Sequence, residues 1–280
     1  MSGEAAPTRT GAARVQHAIR EANARGRSAL VVYLPAGYPD LAGSRACLEA
    51  AAEGGADLLE VGFPYSDPLM DGPTIQAANQ VALDAGYTPD DDFAMCRELT
   101  ANVDVPALVM TYYNLVWHYR GVEHLDAFAE AAAHAGLAGA IVPDLPAEEG
   151  GPWKIAAESR GLATVFLTAP VSSDERLSAT ANVSSGFVYA TSTMGVTGER
   201  QSLAASAAPL VERLRRVTDR PVCVGVGVTT SDHAAEVAGF ADGVIVGSAV
   251  VRAVGEGGPA AVRSYVAELA EGCRRGYAGR

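Results

Sequence analysis

Two carboxylates in one short stretch of the sequence have surroundings suited to acid-base chemistry. Glu60 lies inside the apolar run Leu58 to Gly62, and Asp71 follows in the segment that leads to Pro73. Carboxylates are almost never buried without a partner. Two carboxyl groups in different surroundings can have different pKa values, so that one carries a proton while the other stays ionised. The pair therefore predicts proton transfer to and from a substrate.

The same residues also allow a structural interpretation. Glu60 could form a buried ion pair. Asp71 could cap a helix that begins at Pro73, because Asp is common at helix N-termini and Pro at the first helical position. Both interpretations stay open from the pattern alone.

Glycines near the end of the chain suggest a phosphate site. Gly225 and Gly227 follow one predicted strand, and Gly247 and Ser248 end the next. Backbone N–H groups and a helix N-terminus at such strand ends often bind phosphate, and glycine lets the backbone approach the oxygens closely. The alternative is that these glycines only form tight turns.

Two further segments have a functional and a structural interpretation. The segment Thr191 to Arg200 is polar and glycine-rich, so it could close over a substrate or merely connect elements at the surface. Tyr112 ends a predicted strand, where it could line a pocket for a flat apolar substrate or pack the rim.

The elements that must position these residues alternate regularly. Eight apolar runs predict strands, each followed by a loop and a segment with helical spacing. The runs span residues 29–34, 57–62, 107–112, 138–142, 163–168, 186–190, 221–225 and 243–246. The helical segments span about 43–54, 73–85, 90–101, 122–135, 148–160, 174–182, 203–217, 231–238 and 259–273.

This alternation predicts an α/β protein with a single (β/α)8 TIM barrel. An extra N-terminal helix, Thr10 to Ala24, is expected to cap the barrel bottom within an N-terminal extension of residues 1–27. No linker divides the chain, so residues 1–280 are expected to form one domain with additional short helices. Active sites of such barrels lie at the carboxyl ends of the strands, where Glu60 and Asp71 fall.

Charge and hydropathy exclude several function classes. The net charge of −12 and the lack of a Lys/Arg patch argue against nucleic-acid binding. Apolar runs are far shorter than the roughly 20 residues that cross a bilayer, so no membrane association is expected. The first residues lack the apolar core of a signal peptide, which predicts a cytoplasmic location.

The reactive residue types narrow the chemistry further. The four cysteines lie far apart, which favours reduced, buried thiols. The five histidines show no ligand spacing, so no metal is expected. The single lysine, Lys154, lies in a predicted helix and is badly placed for the Schiff-base chemistry of pyridoxal phosphate or aldolases. Any carbon-carbon chemistry would therefore depend on acids and bases.

The chain closely resembles the tryptophan synthase α subunit family from about Ser28 to Arg252. The most specific motif is Leu59 to Gln76, LEVGFPYSDPLMDGPTIQ. Supporting motifs follow in family order: YLPAGYP from Tyr33, MTYYN from Met110, VPDLP from Val142, MGVTG from Met194, GVGV from Gly225 and VGSA from Val246.

The resemblance implies retro-aldol cleavage of indole-3-glycerol phosphate into indole and glyceraldehyde 3-phosphate, with no metal or organic cofactor. Glu60 would protonate indole C3 and take the proton of the glycerol hydroxyl, while Asp71 would accept a hydrogen bond from the indole N–H. The resemblance also implies further site residues. They are Tyr33, Met110, Tyr112, Ile141 and Tyr189 around the indole; Gly198, Gly227, Gly247 and Ser248 around the phosphate; and Thr197 in the mobile loop, where it would meet the catalytic aspartate on closure.

The family's partner is a pyridoxal-phosphate β subunit, which implies an α2β2 complex. Pro64, Asp67, Pro68 and Asp144 would face this partner. Two positions depart from the family pattern: Thr193 stands where many relatives have arginine, and Tyr119 to Gly121 carry a local length change.

Alternatives to this function also follow from the sequence. They are a stand-alone indole-glycerol-phosphate lyase, a paralogue of a specialised pathway, a phosphosugar isomerase on the same fold and, in another class, a non-catalytic subunit that activates a β partner.

Overall fold

The computed structural model describes residues 10–122, 124–191 and 203–279, except for the side chains of residues 204 and 206. Nine strands occur within these ranges: β1 Ala29–Pro35, β2 Leu58–Gly62, β3 Ala107–Met110, β4 Gly139–Ile141, β5 Ala163–Val165, β6 Leu167–Thr168, β7 Val188–Thr191, β8 Val222–Gly225 and β9 Gly243–Val246. The helices are α1 Gly11–Ala24, α2 Leu41–Glu53, α3 Pro73–Asp84, α4 Pro89–Asn102, α5 Tyr113–His118, α6 Leu125–His134, α7 Gly151–Ser159, α8 Asp174–Val183, α9 Leu203–Arg215, α10 Ser231–Ala238 and α11 Ser248–Tyr277.

The strands form one parallel sheet in the order β5-β4-β3-β2-β1-β9-β8-β7-β6. Residues of β1, β2, β4 and β9 are buried along their whole length. Burial on both faces explains why these strands are continuous apolar runs instead of alternating ones.

At the point where the barrel closes, a single residue separates two short strands. The sequence predicts one strand over residues 163–168, whereas the structure divides it into β5 and β6 on either side of Phe166. β5 pairs with β4, and β6 pairs with β7. The two ends of the sheet are thus adjacent pieces of one chain segment, and the predicted (β/α)8 barrel is confirmed.

Two apolar cores hold this architecture together. An outer core lies between strands and helices, and an inner core contains alternate strand residues such as Val31, Leu58 and Leu108. Val15 and Ile19 of α1 belong to the inner core. The predicted N-terminal helix is therefore present and packs against the inner core.

The sequence predicts additional short helices without placing them, and the structure locates two such helical segments. One is α5, where the backbone N–H of Tyr113 donates to Asp144 Oδ1 over 2.8 Å. The other is the first part of α11, which begins at Ser248 and bends at Gly257 and Gly258. Contacts from distant parts of the chain stabilise α5, and such contacts leave no local periodicity in the sequence.

The thiols agree with the sequence-based prediction, since Cys47, Cys96, Cys223 and Cys273 are free and buried. Among the described residues, none of the helices combines the length and apolar character needed to span a bilayer. Within the same ranges, no group of three or more His, Cys, Asp or Glu side chains has the arrangement of a metal site.

Candidate active site

A cavity of about 230 Å³ opens at the carboxyl ends of the barrel strands and contains both predicted carboxylates. Its lining comprises Tyr33, Glu60, Met70, Asp71, Gly72, Ile75, Met110, Tyr189, Gly225, Gly227, Val228, Thr229, Ile245, Gly247, Ser248 and Ala249. A larger groove of about 540 Å³ lies beside α1. It contains neither member of the carboxylate pair, so we place the candidate active site in the smaller cavity.

Glu60 is fully buried in the middle of β2. Neither carboxyl oxygen has a hydrogen-bond partner among the described residues. Burial raises the pKa of Glu60 to about 8, because a charge without partners is poorly solvated there. Glu60 is therefore mainly protonated at neutral pH and has a proton to donate.

Asp71 lies in the loop between β2 and α3 and is only partly buried. Burial raises its pKa to about 6, while hydrogen bonds from the Tyr112 hydroxyl and the Asn79 amide act in the opposite direction. The distance from Asn79 Nδ2 to Asp71 Oδ2 is 3.1 Å. Asp71 is therefore mainly ionised at neutral pH, in contrast to Glu60.

These contacts decide between the two interpretations of the carboxylate pair. Glu60 has no ion-pair partner among the residues that the structure describes. The N-cap of α3 is Gly72, and no side chain caps this helix. Within the described residues, neither the ion pair nor the helix cap of the structural interpretation is present.

Two tyrosine rings of the cavity lining pack directly against glycines. A Cβ atom at Gly62 would lie 2.2 Å from the Tyr33 hydroxyl oxygen, and one at Gly225 would lie 2.6 Å from that of Tyr189. Both distances are far below a van der Waals contact, so only glycine leaves room for these rings. Tyr33 is also the register partner of Glu60 on the neighbouring strand.

The opposite side of the cavity is built from backbone groups. Gly227 has a positive φ of 77°, a conformation that glycine adopts readily. Helix α11 begins at Ser248 after Gly247, and no side chain caps its N-terminus. Free N–H groups at a helix N-terminus attract anions. This side can therefore hold a phosphate.

The structure brings most of the predicted substrate-binding residues together. Tyr33, Met110, Tyr189, Gly227, Gly247 and Ser248 line the cavity. Tyr112 is not part of the lining; its hydroxyl accepts from the Met70 N–H over 2.8 Å. Ile141 is buried in the inner core, against which Met110 and Tyr189 pack. The predictions for Thr193, Thr197 and Gly198 concern residues outside the described ranges.

Several lining residues escaped the sequence-based prediction, namely Met70, Ile75, Thr229 and Ile245. Ile75 and Met70 belong to the motif Leu59 to Gln76, so a signal was present for them. Thr229 follows the glycine pair directly, whereas Ile245 looked like an ordinary strand residue.

The residues predicted to face a partner differ in exposure. Asp67 and Asp144 are exposed, and Pro68 is half-buried. Pro64 is buried within the chain itself, so it does not contribute to the outer surface of the loop. Leu69, next to Pro68, has 90% of its surface exposed.

Comparisons with known proteins agree with this geometry. A family model for the tryptophan synthase alpha chain matches residues 19–276. The tryptophan synthase alpha chain of Streptomyces avermitilis is 50% identical over 263 residues, covering 92% of this chain and 94% of its own. That of Leifsonia xyli subsp. xyli is 50% identical over 263 residues, covering 94% and 99%.

Solved structures give the same result. A chain of Mycobacterium tuberculosis tryptophan synthase matches with a TM-score of 0.86 and 46% identity, covering 93% of this chain and 98% of its own. A chain of the tryptophan synthase complex from Pyrococcus furiosus matches with a TM-score of 0.76 and 34% identity, covering 87% and 98%. From this similarity, which extends over most of its length, the chain belongs to the tryptophan synthase alpha chain family.

Proposed function

We propose that the chain cleaves indole-3-glycerol phosphate into indole and glyceraldehyde 3-phosphate, as the lyase subunit of a tryptophan synthase. One arrangement carries the proposal: Glu60 and Asp71 line the same cavity, where burial raises the pKa of Glu60 to about 8 and that of Asp71 to about 6. At neutral pH one is an acid and the other an anion. Cleavage by acid-base chemistry needs both forms at once.

Glu60 is the general acid-base group in this reaction. Its carboxyl proton is transferred to indole C3, which weakens the bond between C3 and the glycerol chain. The resulting carboxylate then takes the proton of the glycerol hydroxyl as that carbon-carbon bond breaks and the aldehyde forms. Glu60 ends the cycle protonated, so no external base is consumed.

Asp71 stabilises the charge that develops during this step. Protonation at C3 places positive charge on the indole ring, and the ring N–H becomes a stronger donor. A carboxylate that is already ionised accepts this hydrogen bond without reorganisation, which is the usual basis of electrostatic catalysis.

The other lining residues orient the substrate between these groups. The indole ring lies among Tyr33, Met110 and Tyr189, which are grouped around the carboxylates. The phosphate lies against Gly227 and the N-terminus of α11. Fixing both ends of the substrate places C3 beside Glu60, and such positioning contributes substantially to rate.

The second part of the proposal is a β-subunit partner that contains pyridoxal phosphate. The neighbour from Pyrococcus furiosus comes from a tryptophan synthase complex. In this chain, the exposed loop around Asp67 is linked to Asp71 through Met70, the residue before Asp71. The Met70 N–H donates to the Tyr112 hydroxyl, and this hydroxyl is hydrogen-bonded to Asp71. Asp144 bonds the Tyr113 N–H, next to Tyr112. A partner that contacts Asp67 or Asp144 can thereby change the position of the Asp71 carboxylate.

The decisive experiment measures indole release from indole-3-glycerol phosphate by the purified chain, alone and with a tryptophan synthase β subunit. We expect slow release alone and faster release in the complex. Fast release without any response to the β subunit would favour a stand-alone lyase. Stimulation of the β subunit without cleavage would identify a non-catalytic activating subunit and contradict the proposal.

The glycines beneath the two tyrosines provide another test. Gly62→Ala and Gly225→Ala are each expected to reduce indole release about 10- to 100-fold, because a displaced tyrosine ring shifts the substrate away from the carboxylates. Gly151→Ala is a matched control, since a Cβ atom there would have no neighbour within 4 Å. Normal turnover of both site variants would show that the tyrosine rings do not position the substrate.

A further inference from the structure

Asn79 of α3 is a buried polar residue beside the candidate active site, although it does not line the cavity. The residue has only 3% of its surface exposed. Nδ2 donates to Asp71 Oδ2 over 3.1 Å. Oδ1 has no hydrogen-bond partner among the residues that the structure describes. The Asn79 amide thus donates a hydrogen bond to Asp71, while its own oxygen accepts none from the described residues.

This arrangement lowers stability unless it serves another purpose. A buried amide oxygen without a donor costs free energy of folding. The amide cannot remove the cost by rotating, because its oxygen would then face the Asp71 carboxylate. The orientation is therefore imposed by Asp71, and an apolar residue of similar size would avoid the cost. A group that is costly for folding and directed at an active-site carboxylate indicates a functional role.

The surroundings of Asp71 explain why it needs a neutral donor. The other ionisable groups of the described cavity lining are Glu60, Tyr33 and Tyr189, and Tyr112 interacts with Asp71 from outside the lining. No Arg, Lys or His belongs to the described lining. The side-chain donors that reach the Asp71 carboxylate in the described structure are the Tyr112 hydroxyl and the Asn79 amide. Among the described residues, negative charge on Asp71 is stabilised by these hydrogen bonds and not by a cationic partner.

We infer that Asn79 is a positioning residue for the reaction, which keeps the Asp71 carboxylate ionised and directed into the cavity. The inference rests on the proposed function, because it assigns Asn79 to the aspartate that accepts the indole N–H. Asn79 acts through Asp71 and does not touch the substrate.

The test compares pH profiles of kcat/KM for indole release in the complex with a β subunit. The wild-type profile is expected to fall on the acid side as Asp71 becomes protonated and on the alkaline side as Glu60 loses its proton. Asn79→Ala removes a donor to the carboxylate and shifts the acid limb upward by about one pH unit. It leaves the alkaline limb in place. Below the acid limb, kcat/KM therefore falls about 10-fold relative to the wild type.

Two further variants sharpen the comparison. Asn79→Asp places a second carboxyl group beside Asp71, so the acid limb is expected to shift further upward. Gln80→Ala is the matched control. Gln80 is the next residue of α3, is exposed, and bonds the remote Asp84 over 2.7 Å. This control is expected to leave both limbs unchanged. If Asn79→Ala does not fold, Asn79→Leu removes the same donor and preserves the volume.

A second measurement does not depend on activity. The side-chain carbon of Asp71 is titrated by ¹³C NMR and assigned through Asp71→Asn. Its midpoint should be higher in Asn79→Ala or Asn79→Leu than in the wild type. An unchanged midpoint, or a loss of rate equal at every pH, would overturn the inference while the proposed function stands. Failure of the proposed function is recognised separately, by a wild-type complex that releases no indole.

Discussion

Glu60→Gln is expected to reduce indole release by about 10²- to 10⁴-fold, the contribution of a positioned acid-base group. Glutamine has nearly the same size and polarity as glutamic acid but can neither donate a proton to C3 nor accept one from the glycerol hydroxyl. The fully buried position and the pKa of about 8 place the proton of Glu60 within the cavity at neutral pH. The loss should therefore appear in kcat more than in KM.

Single-turnover and steady-state assays with and without a β subunit would measure this effect. Near-normal turnover by a folded Glu60→Gln protein would remove Glu60 from the mechanism. Asp71→Asn is expected to lose activity as well, but with a different signature. Its residual rate should lack the acid limb near pH 6, since the group with a pKa of about 6 is then absent.

The second large effect concerns stability. The pKa of Glu60 rises from 4.5 to about 8 on folding, because burial disfavours the charged form. The unfolded chain releases this proton as the pH rises through 4.5, whereas the folded chain retains it until about pH 8. Each pH unit in this window therefore stabilises the unfolded state relative to the folded one. The contribution of protonated Glu60 to the free energy of unfolding is fully present below pH 4.5 and is lost as the pH rises through about 8.

Glu60→Gln removes this titration, so the variant should gain stability over the wild type as the pH rises. From pH 5 to pH 9, the free energy of unfolding of Glu60→Gln relative to the wild type is expected to change by at most about 4 kcal/mol. Urea unfolding at several pH values would measure it. Glu53→Gln, at an exposed glutamate of α2, is the control. Wild-type and Glu60→Gln stabilities that run parallel from pH 5 to pH 9 would contradict the raised pKa.

Asp92 provides an internal check on this measurement. It is a buried carboxyl group on α4, and burial raises its pKa to about 8. Both the wild type and Glu60→Gln should therefore lose stability through Asp92 as the pH rises from 3.8 through about 8. Only the difference between the two proteins reports on Glu60. The activity and stability effects have one cause, since the burial that makes Glu60 an acid also makes it costly to ionise.

Much of the fold could be predicted from local sequence pattern. The runs that form β1, β2 and β9 are apolar because both faces of a barrel strand are buried. Their alternation with helices predicts the parallel barrel and places Glu60 at the end of the barrel that carries the chemistry. The closure at Phe166 and the extra helix α5 could not be predicted in this way. Both depend on pairing or capping by distant residues, which leaves no local periodicity.

For the site, the sequence by itself singled out Glu60 and Asp71 as the candidate acid-base pair, together with glycines that line the same cavity. A charged residue type inside an apolar run is visible without a structure. Only the tertiary structure decided that Glu60 has no partner among the described residues and that Asn79 and Tyr112 donate to Asp71. The pKa values of Glu60 and Asp71 depend on desolvation and hydrogen bonding by neighbours from several strands and helices. The pKa values that separate the acid from the anion therefore arise only once the barrel has folded.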